Sequence, residues 1–271
     1  MLDLSVVIVN YNGRHDLRAC LKALQACRPS PQIIVVDNAS TDGSAAMVRS
    51  DFPQIDLMAM DTNHWFCGGN NLGIQAAQGE YVLLLNPDTV PEPDALGLMY
   101  HFLQANPDYT GVTAQLHYPD GSIQLTCSRK TTYIYLILEH TPLGWIFRKW
   151  HAREAAYHWY QQWDRTTDYD VEVMPGSCTM IRRGISLDGD LRLYFPEDDL
   201  AARLPDARFR YLAGARILHK EKSVTQTWLA TQIYFRDMFH FASKHHGRVR
   251  AWLLWLLSRP LYWGMWLRRL R

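Results

Sequence analysis

Three groups of side chains in this 271-residue chain stand where they could do chemistry. Asn86-Pro87-Asp88 puts one carboxylate on a sharply turned backbone, directly after the apolar run Tyr81-Val82-Leu83-Leu84-Leu85. A carboxylate so placed suits Mg²⁺ or Mn²⁺, hard ions that take one or two protein oxygens and leave the other positions to phosphate and water. The plainer alternative is a proline turn with a solvated aspartate. Glu197-Asp198-Asp199 lies between Leu193-Tyr194-Phe195-Pro196 and Leu200-Ala201-Ala202-Arg203, an acid-rich helix start. Carboxylates there either complement the helix dipole or take the proton from a hydroxyl that is otherwise a poor nucleophile. His219, after Arg216-Ile217-Leu218, is a candidate metal ligand or diphosphate contact, against the ordinary structural role of a lone histidine.

Two more segments are polar where the elements around them are not. Asp37-Asn38-Ala39-Ser40-Thr41-Asp42-Gly43-Ser44 supplies a carboxylate, Asp37, able to accept from the imide N–H of a pyrimidine, while capping accounts for Asp42 and Ser44. Gly68-Gly69-Asn70-Asn71-Leu72-Gly73 is expected to open a helix and leave backbone N–H groups exposed to a nucleotide. It matches neither the dinucleotide fingerprint nor a P-loop.

The elements that position these segments are legible in the first hundred residues. Ser5 to Val9, Ile33 to Val36, a weaker Ile55 to Met60, and Tyr81 to Leu85 are short apolar runs, as strands buried on both faces require. Helices are expected over about Asp16 to Cys27, Ser44 to Asp51 and Asn70 to Gln78, with Gly79 as a left-handed cap. The polar clusters then fall at the carboxyl ends of parallel strands, where open α/β sheets bind ligands. From Pro107 to Lys220 the texture turns to mixed sheet and loops, with Val171 to Arg183 resembling a strand with a glycine interruption. Beyond Lys220 the chain is helical and aromatic.

Composition excludes several classes. A net charge of +1 with 20% charged residues gives no electrostatic footprint for nucleic acid. Cys20, Cys27, Cys67, Cys127 and Cys178 are scattered with no C-x-x-C spacing, which argues against a zinc site or disulfide framework and for a reduced, cytoplasmic chain. The stretch Leu4 to Val9 is too short for a signal or a membrane span.

In order and spacing, the motifs Val7-Ile8-Val9-Asn10-Tyr11-Asn12, Val36 to Ser44, Asn63 to Gly73 and Gly79 to Thr89 resemble glycosyltransferase family 2, particularly its rhamnosyltransferase-like branch, from about Leu4 to Ser223. The resemblance implies an α/β fold of GT-A type, a Rossmann-like sheet with helices on both faces and a C-terminal helical appendage. It would divide into a nucleotide-sugar half (1–105), an acceptor half (106–220) and amphipathic helices (221–271). It also implies nucleotide-sugar contacts from Val9, Asn10, Tyr11, Asn12, Asp37, Asn38, Gly69, Asn70, Asn86 and Asp88, and Mg²⁺ or Mn²⁺ held by Asp88 and His219. Asn86 replaces the first acid of the family's D-x-D-like motif. Gly176 to Arg183 looks like the acceptor-side strand. The catalytic acid falls among Glu197, Asp198 and Asp199: the family's E-D-x-D-L reads here Pro196-Glu197-Asp198-Asp199-Leu200, so the base stays open between Asp198, the preferred choice, and Glu197, with Asp199 orienting.

The expected activity is inverting transfer of a sugar from a dTDP- or UDP-sugar, dTDP-rhamnose first, to a hydroxyl of a glycan or lipid-linked glycan. A sugar-phosphate nucleotidyltransferase is the enzymatic alternative, although Asn10 to Arg14 does not look like its triphosphate loop; a non-catalytic membrane-associated assembly subunit is the other. From Met238 to Arg271 there is no Asp or Glu. Lys244, Arg248, Arg250, Arg259, Arg268, Arg269 and Arg271 alternate there with Trp252, Trp255, Trp263 and Trp266. That pattern predicts docking on the anionic inner face of the plasma membrane, or else packing back onto the catalytic domain or forming a dimer, with Arg259-Pro260 interrupting the apolar stretch short of the length a span requires.

Overall fold

The computed structural model describes residues 3–28, 30–220 and 227–269, without the side chains at 268 and 269. β1 (Leu4–Asn10), β2 (Gln32–Asp37), β3 (Asp56–Ala59) and β4 (Tyr81–Leu85) are parallel, in the order β3-β2-β1-β4. α1 (Arg14–Ala26), α2 (Ser44–Asp51) and α3 (Trp65–Ala76) connect them. Alternate residues of each strand face opposite layers. Val6, Ile8, Val35 and Leu83 pack under Leu17, Leu21, Leu24 and Met47, while Val7, Ile34, Val36 and Leu84 face Cys67, Ile74 and the Leu187–Leu191 loop.

The second half adds β5 (Thr89–Pro91), α4 (Ala95–Ala105), β6 (Gly111–His117), α5 (Tyr133–His140), α6 (Leu143–Ile146), α7 (Arg148–His158), β7 (Tyr169–Val171), β8 (Cys178–Arg182), α8 (Pro196–Arg203) and β9 (Phe209–His219). β8 lies antiparallel between β4 and β6, and β9 runs parallel to β6 and antiparallel to β5 and β7. One continuous mixed sheet therefore joins both halves, and β5 sets Thr89 opposite His219. α9 (Trp228–His246) and α10 (Arg248–Arg269) follow. Leu136 of α5, Phe235, Met238 and Phe241 of α9, and Ala251 and Leu254 of α10 form a separate core that fixes these helices to the domain.

Several expectations are corrected. The Val171 to Arg183 strand is two strands, β7 ending at Val171 and β8 beginning at Cys178, and the helices α5 to α7 stand where loops were expected. α3 starts at Trp65, five residues before the expected Asn70, and is capped by Ala77 in extended conformation. Gly79 is not left-handed; a Cβ there would lie 2.7 Å from backbone atoms of Leu4 and Ser5, so its glycine serves the close approach of two chains. Pro260 does not interrupt α10. Arg259 holds that turn, its Nε donating to Trp255 O (3.0 Å) and its guanidinium lying over the Trp255 and Tyr262 rings. Even so, no helix among the described residues is long and apolar enough to cross a membrane.

Candidate active site

The register of β1 on β2 sets Asn10 beside Asp37, so the two strand-end clusters meet. Asn10 Nδ2 donates to Asp37 Oδ1 (2.8 Å) and Ser40 Oγ (3.2 Å), and Ser40 N donates to Asp37 Oδ2 (3.0 Å). Asn12 and Ala39 take left-handed backbone to make the crossing, and Thr41 N closes it on Asn12 Oδ1 (2.8 Å). Asp37 is only 2% exposed, so it is first the tie that shapes both loops. In front of it, Val9, Tyr11, Asn38, Asn63 and Trp65, with the start of α9, enclose a cavity of about 350 Å³, a size suited to a small ligand. Tyr11, 55% exposed, offers its ring to that space.

The glycine-rich stretch also has a packing task. It lies within the first turns of α3, whose leading N–H groups on Phe66 and Cys67 both point at Arg192 O (2.9 and 3.3 Å). Gly69 is there because a Cβ would come within 2.8 Å of Val9, and Gly73 because one would overlap Val7. Asn70 is buried and donates to Phe66 O (2.9 Å). These residues press α3 onto β1 and so place Asn63 and Trp65 at the cavity.

Asp88 and His219, 131 positions apart in the chain, are brought together by β5 and β9: Oδ1 and Nε2 are 3.5 Å apart. Gln124 fixes the tautomer. Its Nε2 donates to the His219 carbonyl (2.8 Å), so its Oε1 must accept from His219 Nδ1–H (2.9 Å). That leaves His219 Nε2 as the ring atom directed toward the Asp88 carboxylate. A carboxylate oxygen and an imidazole nitrogen converging in this way, the imidazole oriented by the Gln124 amide, are donor types that fit a divalent cation. Asp188, Asp190 and His240 also cluster closely enough to hold an ion. There, however, the Lys244 ammonium already sits 2.6 Å from Asp188 Oδ2, with His240 Nε2 3.0 Å from the same oxygen.

The three consecutive acids part company. Asp199 is fully buried among Arg203 Nε (2.7 Å), Lys244 Nζ (2.7 Å) and His245 Nε2 (2.8 Å). Burial works against its charge but hydrogen bonds from Lys244, His245 and Arg203 outweigh it, holding the carboxyl below its ordinary range. It anchors α8 to α9. Asp198 accepts from Thr131 Oγ1 (2.5 Å), and burial pushes it up to about 6 against that bond. Glu197 lies against Gly176, where a Cβ would overlap its Oε1 and come within 3.4 Å of the Phe66 ring. Burial, aided by the Asp198 charge, raises it to about 7 against backbone N–H bonds from Glu197 and Gly176. Next to Gly176, the Ser177 carbonyl accepts from Asn86 N (3.0 Å), so Glu197 and the Asn86-Pro87-Asp88 turn flank one short backbone segment. Phe195, left-handed at φ 64, supplies the bend that starts α8 and aims these side chains.

Residues 5–188 match the model of glycosyl transferase family 2, over half of the chain. The chain belongs to glycosyltransferase family 2. It is 25% identical over 282 aligned positions to the N-acetylglucosaminyl-diphospho-decaprenol L-rhamnosyltransferase of Mycobacterium tuberculosis, covering 95% of this chain and 90% of that protein. This agrees with the rhamnosyltransferase-like branch. Among solved structures, the mannosyltransferase PcManGT from Pyrobaculum calidifontis, in complex with GDP-Man and Mn²⁺, superposes at TM-score 0.57 with 15% identity, over 97% of this chain and 72% of that one. S. aureus TarS 1–349 with UDP gives 0.55 at 13% identity, over 94% and 70%. The fold of this glycosyltransferase is thus the GT-A type, with C-terminal helices in addition.

Within the family 2 frame, the sequence named both ends of the Asp88–His219 pair but not Gln124, which carries no motif and becomes visible only once β6 and β9 are paired. Lys244 and His245, which hold Asp199, and Thr131, which holds Asp198, were equally silent, being 45, 46 and 67 positions from their partners. Gly176 was quoted as part of a strand; its task beside Glu197 is a contact, which spacing does not reveal.

Proposed function

We propose that this glycosyltransferase is an inverting, metal-dependent enzyme that moves a sugar, rhamnose first among candidates, from a dTDP- or UDP-sugar to a hydroxyl of a lipid-linked glycan, with Glu197 as general base. The observation that carries the proposal is the Glu197 carboxyl, raised to about 7 and set against Gly176, one residue from the segment that ties down the Asn86-Pro87-Asp88 turn. A base titrating near the working pH is poised to accept a proton in the transition state. The acceptor O–H gives its proton to Glu197 while its oxygen bonds to the anomeric carbon and the carbon–diphosphate bond breaks on the opposite face. Asp88 and His219 would hold Mg²⁺ or Mn²⁺, which supplies positive charge for the leaving diphosphate. Tyr11, Asn38 and Trp65 wall the space for the base and ribose, and Asp37 keeps that wall in shape.

The choice of Glu197 over Asp198 rests on register. Asp199 and Leu200 are both buried, as the acid and leucine that close E-D-x-D-L would be. Matching them without a gap puts Glu197 at the pattern's second acid and Asp198 at its variable position. The Mycobacterium relative's lipid-diphosphate name supports a lipid-linked acceptor. The exposed Trp252, Trp255, Trp263 and Trp266 on α10, with Arg248, Arg250 and Arg259, support docking on an anionic membrane at the cytoplasmic face. Incubation with a panel of nucleotide sugars and Mn²⁺ tests the reading. Transfer or slow donor hydrolysis supports it, pyrophosphate chemistry would favour a nucleotidyltransferase, and inertness with every donor would favour an assembly subunit.

A further inference from the structure

A second cavity lies on the other side of the start of α9 from the nucleotide space. It is a groove of about 540 Å³ between α5–α6, α9 and the second half of α10, walled by Trp145, Tyr194, Tyr234, Phe235, Leu261 and Met265. Ala230 borders both cavities. One end of the groove is therefore beside the donor space. Tyr194, stacked edge-on against Tyr234 at 4.8 Å between ring centres, leads from it through Phe195 to the acids of α8. The other end opens between two exposed apolar banks, Trp145, Ile146 and Phe147 on α6 and its end, and Trp263 and Met265 on α10.

The floor suits hydrocarbon rather than sugar. Its polar groups satisfy one another: Tyr234 Oη meets His140 Nε2 at 3.1 Å, and burial pushes His140 down to about 4, so it is uncharged at neutral pH. At the rim, Glu139 is taken by His151 (2.7 Å). A glycan needs partners for its hydroxyls, whereas an alkyl or prenyl chain needs only apolar walls. The groove is also continuous with the acid-free tryptophan face of α10, which no other part of the described chain covers.

We infer that this groove takes the isoprenoid chain of a lipid-linked diphosphate acceptor, leading it from the bilayer surface along α10 to the hydroxyl-activating acids. The inference rests on the proposed lipid-linked acceptor and adds to it the place where the lipid is read. Gly264 gives the test. It lines the groove, its backbone is not left-handed, and an added Cβ would meet nothing within 4 Å. Gly264→Phe therefore fills the groove without disturbing the helix.

The full chain is titrated, in detergent-free buffer, with farnesyl diphosphate and with inorganic diphosphate. The native protein is expected to prefer the prenylated probe by at least about tenfold, which two buried methylenes suffice to give. Gly264→Phe should abolish the preference, and Trp252→Ser with Trp266→Ser, both exposed and outside the groove lining, should keep it. Equal binding of the two probes would overturn the inference. So would a preference that survives Gly264→Phe, one that disappears with the outer tryptophans, or a dimer that Gly264→Phe dissociates. Titration with nucleotide sugar reads the other side separately: donor turnover without prenyl preference removes the groove alone, and absence of donor turnover removes the transferase reading whatever the groove binds.

Discussion

Replacing Glu197 with glutamine should make the protein more stable and nearly inactive, and the stability gain should depend on pH in a defined way. The folded carboxyl titrates at about 7 against 4.5 in its ordinary state, and a rise of that size is worth at most about 3 kcal/mol. The sign follows from which form the fold prefers. Because the folded value is raised, the protonated acid is favoured: the wild type carries no penalty below about pH 4.5, and stability is lost as pH climbs through about 7. Glutamine is neutral throughout. Urea denaturation should therefore find Glu197→Gln equal to wild type at pH 4.5 and more stable by up to about 3 kcal/mol at pH 8. Turnover should fall by about two to four orders of magnitude with donor binding retained, as for loss of a general base. In the wild type, turnover should fall away below about pH 7. Gly176→Ala, whose Cβ overlaps Oε1, should reproduce much of the turnover loss. A stability difference that does not change with pH would refute the raised acid. Collapse in Asp198→Asn with near-normal Glu197→Gln would refute the register.

Gln124→Leu should leave the fold intact but weaken Mn²⁺ binding to the donor complex by about 10- to 100-fold, the usual effect of removing the group that orients a ligating histidine; Asp88→Ala should abolish it, and isothermal titration with Mn²⁺ and nucleotide checks both. Asp199→Ala should cost about 3 kcal/mol or more, because it leaves Lys244, His245 and Arg203 without their buried partner. The stability that Asp199 provides in the wild type is present above about pH 4 and disappears as acid protonates it, which denaturation at pH 3 and pH 6 would show. Replacing Trp252, Trp255, Trp263 and Trp266 together by serine should abolish co-sedimentation with anionic vesicles and leave donor hydrolysis in solution unchanged. Equal sedimentation would return this face to protein contacts.

The first half of the fold was legible because it is local. A strand buried on both faces is a near-continuous apolar run, and Val6 to Ile8, Ile33 to Val36 and Tyr81 to Leu85 are such runs. β6 and β9 were not legible in the same way. β6 is fully buried yet contains Thr113, Gln115 and His117, whose polarity breaks the pattern and is met by partners from afar: Cys178 O takes Thr113 Oγ1 (2.6 Å) and Arg165 O takes Gln115 Nε2 (2.8 Å). The helices α5 to α7 carry so many aromatics that their periodicity is lost; Tyr135, for instance, is spent stacking on His158 at 3.9 Å and accepting from Trp159 (3.0 Å). Pro260 ends the apolar stretch without ending the helix. A proline removes one helix hydrogen bond, and burial of Leu254 and Ser258 on the inner face of α10, with Arg259 clamped on three rings, is enough to keep the helix going.

The acidic motif shows how a site can be visible as residue types while the separate roles of neighbouring acids are not. Glu197, Asp198 and Asp199 are chemically near-equivalent in sequence, and helical spacing of about 100° per residue points them three ways. What distinguishes them is who waits on each side: two cations and the His245 ring for Asp199, the Thr131 hydroxyl for Asp198, and for Glu197 a glycine that leaves room only because it has no side chain. A charged anchor lowers an acid's affinity for protons, whereas burial in an apolar recess raises it. The three environments thus sort one strong acid from two weak ones. Of the two weak ones, only Glu197 shares its recess with the segment that ties down the Asn86-Pro87-Asp88 turn, and that contiguity through the backbone of Gly176 and Ser177 is the reason for proposing it as the base.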